Sequence, residues 1–500
     1  MCVTPQSLEG LCLRIRLVTS VCSLTHDGTG HAHSNLAYAD NRREKDRLRI
    51  AVSSYTLTQQ ETDIMESNGE KHEQEYPVHY YEEIGALKNH KLTTFHIGAA
   101  GIPELQKAAE IMKIASQKRL TYESTSCANL MQYGFTMGDS DFLKSMAEFL
   151  TVEYGDDVDS DDLLVTAGAS QGLSTIGSLL FHKGDFVFIE SATFFSAINI
   201  FRDDLGMKLV NVPMDEDGMD MDALDELLTL YRPRSSHEIS DKQPFWAAVY
   251  LVPCFQNPTG TVLGAERCKH LIRVARKHGV LIISDDVYGL LSYTVSKNDV
   301  NRSREFICPK RLFAYDDKSD PDYRGNVASV NSFSKIFAPG VRLGWYELPK
   351  RVHNIVRDSG LCQSSAGFNT FTSGIMATAI NLGLVAENLR DLRRLYKKRM
   401  QSLIDTLQRE LPPEVLFTRP KGGYHLWIVL PEKCSSMELL KICEEKFSLA
   451  FQLGSIFSPD EQCKNCLRLS ISFVEEAEIV DGARRLSKAI KSFLDSPTEE

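Results

Sequence analysis

Residues 329–345, SVNSFSKIFAPGVRLGW, bring one lysine, Lys335, together with Ser332, Ser334 and Arg342. An apolar run, Val327, Ala328 and Val330, leads into them, so a buried strand would deliver the group to one place. Two hydroxyls and a guanidinium suit a dianionic phosphate. A lysine beside such a phosphate suits a Schiff base to the carbonyl of pyridoxal phosphate. A solvated loop with an incidental lysine and arginine would carry the same letters, so the rest of the chain must separate the two readings.

Three other stretches end predicted strands with chemistry of the same kind. In Thr166-Ala-Gly-Ala-Ser-Gln-Gly172, small residues between a strand and a helix expose backbone N–H groups to a phosphate. Ala169 and Ser170 stand at the helix start, and Ser170 adds a hydroxyl. A structural turn would look similar. In Asn257-Pro-Thr-Gly260, a rigid turn could aim the Asn257 amide at a phenolic oxygen or close the chain without any such role. In Ser284-Asp-Asp-Val-Tyr288, a carboxylate at a buried strand end needs a partner. A protonated pyridine nitrogen would serve Asp285, with Asp286 pointing the other way and Tyr288 reaching the O3′ of the same ring. Capping of a helix is the competing role for the aspartates. Together the four stretches describe one electron sink, with Lys335 also able to carry a proton between Cα and C4′.

These stretches need a scaffold, and the pattern between about 160 and 345 supplies one. Strands are expected over 163–166, 186–190, 208–212, 245–252 and 280–284. Helices are expected over 168–180, 197–205, 220–230 and 266–278, the last stopped by Gly279. Strands that are apolar on both faces and alternate with helices imply a mostly parallel sheet covered on both sides. Its ligands would gather at the carboxyl edge. Residues 296–325 read as a polar surface interruption. After Trp345 the chain reads as helical over 350–359, 370–381 and 386–410. A small unit follows, with strands at 424–430 and 466–473 and helices at 437–447 and 475–494. Helices are also expected over 80–88, 103–118 and 141–154, with a glycine-rich turn at 96–103 between the first two. The fold class is therefore α/β: a large domain with a mostly parallel sheet between helices, plus a smaller α+β domain. The divisions are 1–77, a largely disordered extension; 78–130, an N-terminal segment joining the small domain; 131–348, the large domain; and 349–500, the small C-terminal domain.

Composition narrows the function classes. The chain has 500 residues, 43% of them hydrophobic and 25% charged, and a net charge of −11. Such a balance disfavours broad binding to nucleic acid or to an anionic membrane. No apolar run approaches the ~20 residues of a membrane span. The stretch 11–24 is apolar but broken by Arg14 and Arg16, which makes it a poor signal peptide and leaves a mitochondrial address as the alternative to a cytoplasmic one. Twelve scattered cysteines suggest a reducing compartment. The one close pair, Cys463-x-x-Cys466, lacks a second short pair for zinc, so no metal is expected.

By motif and by order (GASQG, NPTG, DDVY, SFSK and RLGW), residues 78–495 resemble the class I/II aminotransferases of the aspartate-aminotransferase fold, the fold type I pyridoxal-phosphate enzymes. With PKGGYHLW at 420–427, they look most like the 2-aminoadipate/kynurenine and aromatic or branched-chain group. The resemblance implies more positions. Phe194 in ESATFF would stack on the pyridine ring, where tyrosine is commoner. Tyr133 in QYG would reach the neighbouring subunit's cofactor phosphate, making the enzyme a homodimer. Arg468 in CLRLSISF would bind the substrate α-carboxylate. Gly101 would lie near the substrate, with Asn257 also contacting it. The Gly422-Gly423-Tyr424 stretch would be structural. The implied activity is transfer of an amino group from an L-amino acid to a 2-oxo acid such as 2-oxoglutarate by a ping-pong mechanism. A lyase or decarboxylase on the same fold, and a non-catalytic regulator, are the alternatives.

Overall fold

Short apolar runs that are buried on both faces become the strands of the larger sheet. The computed structural model describes residues 92–233, 239–296, 305–365, 367–460 and 462–495. The expected N-terminal extension, the stretch 11–24 and the helix over 80–88 lie outside them. In chain order the strands are β1 (Thr93–Thr94), β2 (Leu163–Thr166), β3 (Phe186–Glu190), β4 (Lys208–Val212), β5 (Ala247–Leu251), β6 (Leu281–Asp285), β7 (Val327–Ser332) and β8 (Gly344–Glu347). Strands β2 to β8 form one seven-stranded sheet in the order β2-β8-β7-β6-β5-β3-β4. Every residue of β5, β6 and β7 is buried, as AAVYL and LIISD require of central strands covered on both faces.

Only β8 runs against the others. It pairs antiparallel with both β2 and β7, while β3, β4, β5, β6 and β7 pair in parallel. Six strands therefore point their carboxyl ends to one edge, and the motif stretches follow those ends. Strand β8 is a departure from the sequence reading, which makes the chain helical after Trp345. Its first residue explains why glycine is needed there. A Cβ on Gly344 would stand 2.4 Å from the Asn331 carbonyl oxygen and 2.9 Å from the Gly168 Cα. Glycine lets the turns after β2 and β7 close on one another.

The helices are α1 (Ile102–Glu123), α2 (Ser140–Tyr154), α3 (Ala169–Leu180), α4 (Met221–Tyr231), α5 (Ala265–His278), α6 (Lys350–Arg357), α7 (Thr370–Asn381) and α8 (Leu384–Glu410). Asp139 caps α2 by accepting the Phe142 N–H, and Gly279 ends α5 in the left-handed region. The single helix expected over 197–205 is a short α-helix, Phe195–Asn199, continued as a π-helix, Ile200–Asp204. A second sheet, ordered β9-β10-β13-β12, consists of β9 (Leu416–Phe417), β10 (His425–Val429), β12 (Gln452–Leu453) and β13 (Cys466–Ser470). Helices α9 (Ser436–Phe447) and α10 (Glu476–Leu494) accompany it, and β1 pairs in parallel with β11 (Leu449–Ala450).

Buried arginines fasten these parts together. Arg393 of α8 donates to the Leu290 carbonyl at 2.6 Å and to Glu153 of α2 at 2.6 Å. Arg399 of α8 donates to Glu104 of α1 and to the Ser472 carbonyl, each at 3.0 Å. The polar interruption after Ser296 is not wholly a surface feature. Arg311 within it is buried and grips Glu347 of β8 with two nitrogens. Phe306 and Leu312 are buried beside it in sequence. A guanidinium can be taken out of water when a carboxylate matches its fork, which corrects the reading of this stretch.

Candidate active site

Strand β7 ends at Ser332, and the short helical turn Phe333–Ile336 then lifts Lys335 over the carboxyl edge. Ser332 caps that turn. Its hydroxyl oxygen accepts the Ser334 N–H at 3.1 Å and lies 2.9 Å from the Ser334 hydroxyl. Arg342 adopts φ +46° at the rim and donates to the Ala167 carbonyl at 3.3 Å. Gly168, at φ +92°, lies so close that a Cβ there would stand 2.9 Å from the Arg342 Nη2. The N-terminus of α3, with Ala169 and Ser170, therefore shares one concavity with Ser332, Ser334 and Arg342. Unpaired N–H groups, two hydroxyls and a guanidinium in that arrangement can hold a phosphate.

Asp285 ends β6 fully enclosed. One carboxylate oxygen accepts the Tyr250 hydroxyl at 2.7 Å, and the other, Oδ1, is buried without a hydrogen-bond partner. Burial raises its carboxyl to about 7, against the opposing pull of the Tyr250 hydrogen bond. Asp286 faces the other way, where it accepts the Ser329 hydroxyl. Lys335 donates to the Gly98 carbonyl at 3.3 Å. Burial, and then the positive charge of Arg468, bring its amine down to about 8, with Asp285 acting in the opposite sense.

Arg468 reaches the same cleft from β13. It donates to the Asn257 side-chain oxygen at 3.0 Å and to the His96 carbonyl at 2.7 Å, and its Nε is buried without a partner. Burial lowers the guanidinium to about 10. Tyr288 lies 3.3 Å from His425, and burial raises its phenol. The His425 ring is kept neutral by burial and by the Arg468 and Lys335 charges, which push its pKa well below the usual value. Lys335, Asp285, Tyr288, Asn257 and Arg468 are therefore brought to one cleft. Phe194 caps the helix after β3, its ring 5.3 Å from Phe195. Gly101 packs against Glu104 and the Phe473 carbonyl, while Gly98 is the residue of that loop that meets Lys335. Tyr133 stands 77% exposed at the surface, outside the cleft of its own chain.

Some contributors escaped the sequence reading. Tyr250 is the only hydroxyl in an apolar strand, a position that needs a buried partner, and that partner is Asp285. Glu190 is buried without a cation. It accepts from the Val252 N–H and the Gln256 amide, each at 3.1 Å, and burial pushes it up to about 8. Glu190 thus ties the loop before Phe194 to the loop carrying Asn257. Tyr424 donates to the Gly98 carbonyl at 3.0 Å, so the Gly-Gly-Tyr stretch also lines the cleft.

Residues 100–486 match the family "Aminotransferase class I and II". The chain belongs to the class I and II aminotransferases. It is 30% identical over 401 residues to a 2-aminoadipate transaminase of Thermus thermophilus, covering 79% of this chain and 90% of that one. It is 29% identical over 366 residues to aromatic-amino-acid aminotransferase 1 of Thermococcus litoralis, covering 73% and 81%. Among solved structures, the kynurenine aminotransferase of Pyrococcus horikoshii, in complex with PMP, KYN and KYA, superposes with a TM-score of 0.70. The identity is 25%, over 87% of this chain and 99% of that one. The protein is a transaminase with the mixed α/β architecture of those neighbours, and its cofactor is pyridoxal phosphate. The cleft fits that group in a testable way. The orphaned Oδ1 of Asp285 needs a donor, and the Arg342 guanidinium beside Gly168 with the Ser332 and Ser334 hydroxyls is chemistry that suits a phosphate.

Proposed function

We propose that this aminotransferase moves the amino group of an L-amino acid of the 2-aminoadipate, aromatic or branched-chain type to 2-oxoglutarate or a similar 2-oxo acid, by a ping-pong mechanism in a homodimer. The observation that carries the reading is Arg468, a buried guanidinium anchored by Asn257 and the His96 carbonyl, with its Nε left over and its charge felt by Lys335. Such a group recognises a carboxylate through paired, charge-assisted hydrogen bonds.

The roles divide as follows. Ala169, Ser170, Ser332, Ser334 and Arg342 hold the cofactor phosphate, and Phe194 covers the ring. Asp285 Oδ1 holds a proton on the ring nitrogen, with Tyr250 keeping the carboxylate oriented. Asn257 and Tyr288 address the phenolic oxygen. When bound, pyridoxal phosphate supplies the carbonyl that takes up nitrogen and the ring that accepts an electron pair. Arg468 holds the substrate carboxylate and so fixes which Cα bond faces Lys335. The Lys335 amine, lowered to about 8, is a competent base at neutral pH and removes the Cα proton. The same carboxylate contact serves the 2-oxo acid in the return half, which is why one site takes both partners in turn. Tyr133 reaches the partner subunit's phosphate. Support for that contact comes from its exposure beside Met131 and Phe135, themselves 65% and 70% exposed.

The test is a panel of amino donors against 2-oxoglutarate, read as glutamate formed. Turnover is expected with 2-aminoadipate, kynurenine, aromatic or branched-chain donors. Turnover confined to aspartate, or release of ammonia without an acceptor, would overturn the substrate class.

A further inference from the structure

Cys463 and Cys466 have no part in the chemistry above, yet they are built into the support of Arg468. The Cys466 N–H donates to the Cys463 carbonyl at 2.9 Å, closing a tight turn with Cys463 at φ +58°. The Cys466 thiol donates to the Asn465 side-chain oxygen at 3.6 Å. The neighbouring Cys466 thiol lowers the Cys463 pKa, which favours the Cys463 thiolate, while the Cys466 pKa is raised. Cys463 is partly exposed and Cys466 is buried, so a reagent reaches the first sulfur with the second waiting behind it.

The turn leads directly into the substrate side of the cleft. Cys466 opens β13, two residues before Arg468. Cys466, Phe457 and Trp427 form a small buried cluster, and the Phe457 ring centroid lies 5.0 Å from the Arg468 guanidinium carbon. The Phe457 carbonyl accepts the Thr193 N–H at 2.8 Å, next to Phe194. The turn Gly454–Phe457 has no slack against the cysteines. A Cβ on Gly454 would stand 2.5 Å from the Cys463 carbonyl oxygen and 2.6 Å from that of Cys466.

We propose that Cys463 and Cys466 are a redox-modification site that exchanges with small-molecule disulfides and, once joined, weakens the grip of Arg468 on the substrate carboxylate. The consequence for substrate rests on the reading of Arg468 given above. The Cys463 thiolate attacks a small disulfide, breaking its S–S bond and releasing one thiolate. Cys466 gives up its proton, and its sulfur attacks Cys463 in the mixed disulfide, releasing the second thiolate. The protein loses two electrons and two protons, and the small disulfide becomes two thiols. Joining the two sulfurs covalently draws the turn against β13 and the Phe457 cluster. Arg468 is fixed from that side, whereas Lys335 and Asp285 are held by the other sheet.

The experiment treats the holoenzyme with oxidised glutathione, maps its peptides without reduction and measures kinetics before and after dithiothreitol. The expected result is a Cys463–Cys466 linkage two hydrogens lighter than the dithiol. KM for the amino donor should rise about tenfold with kcat changed less than about twofold, as expected for lost ground-state binding. Dithiothreitol should reverse both changes, and C463S should retain basal activity and resist the oxidant. Glutathione adducts without the linkage, a linkage that leaves KM unchanged, or an equal KM rise in C463S would each overturn the proposal. Reduced R468K distinguishes the two failures. An unchanged KM in that variant condemns the reading of Arg468, whereas a raised KM there with no oxidant effect in the wild type condemns the switch alone.

Discussion

The cofactor side and the substrate side of the cleft are built differently. Lys335, Asp285, Ser332 and the GASQG turn lie at the carboxyl ends of β7, β6 and β2 in the seven-stranded sheet, whose central strands are buried throughout. Arg468 comes from β13 of the four-stranded sheet, and its partners, Asn257 and the His96 carbonyl, come from elsewhere. One side is positioned by strand pairing within the larger sheet, the other by β13 of the smaller sheet together with hydrogen bonds from two loops. The proposed cofactor groups and the proposed carboxylate anchor thus belong to two different sheets.

The comparison can be broken in several places. The largest effect is expected from K335A, which removes the base and the attachment point. Glutamate formation should fall by at least about 10⁴-fold, and the visible absorbance of the lysine-bound cofactor should vanish. D285N keeps the shape but removes the charge that complements a protonated ring, and kcat should fall about 10²- to 10³-fold. Retention of full kcat in D285N would remove Asp285 from the mechanism. R393A abandons Glu153 and the Leu290 carbonyl in a buried setting, so urea unfolding should show a loss of about 3–5 kcal/mol. A loss below about 1 kcal/mol, within the range of an exposed pair, would mean that α8 is held by other contacts. Y250F is the mildest change. It deletes one hydrogen bond to Asp285, worth about 1.5–3 kcal/mol to a charged group. Because that bond favours the carboxylate, its loss should raise the Asp285 pKa above about 7 in the cofactor-free protein. An unshifted carboxyl titration in Y250F would show that Tyr250 does not set it.

The cofactor side was also the more legible from sequence. Strands β2, β3 and β4 have the bounds expected of them, and most of the motif residues lie at or shortly after strand ends, so a local pattern points to the site. What escaped notice depends on distant pairs. Strand β8 runs antiparallel between β2 and β7, a placement that depends on those distant partners. Arg311 looks solvated until Glu347 is placed beside it. The link between Asn257 and Arg468 spans two sheets, and no local signal marks it. Tyr250 also goes unread, although a hydroxyl within a wholly buried strand needs a partner and so carries a usable signal.

The central claim is that cofactor and carboxylate are held by separate frames, and one rapid-mixing experiment addresses it. R468K holoenzyme is mixed with increasing amino donor while the cofactor absorbance is followed through the first half-reaction. Loss of the bidentate fork should raise the half-saturating donor concentration about 10- to 100-fold. The starting cofactor spectrum should be unchanged and the plateau rate within about fivefold of wild type. An unchanged half-saturation, or a variant that no longer retains its cofactor, would contradict the separation.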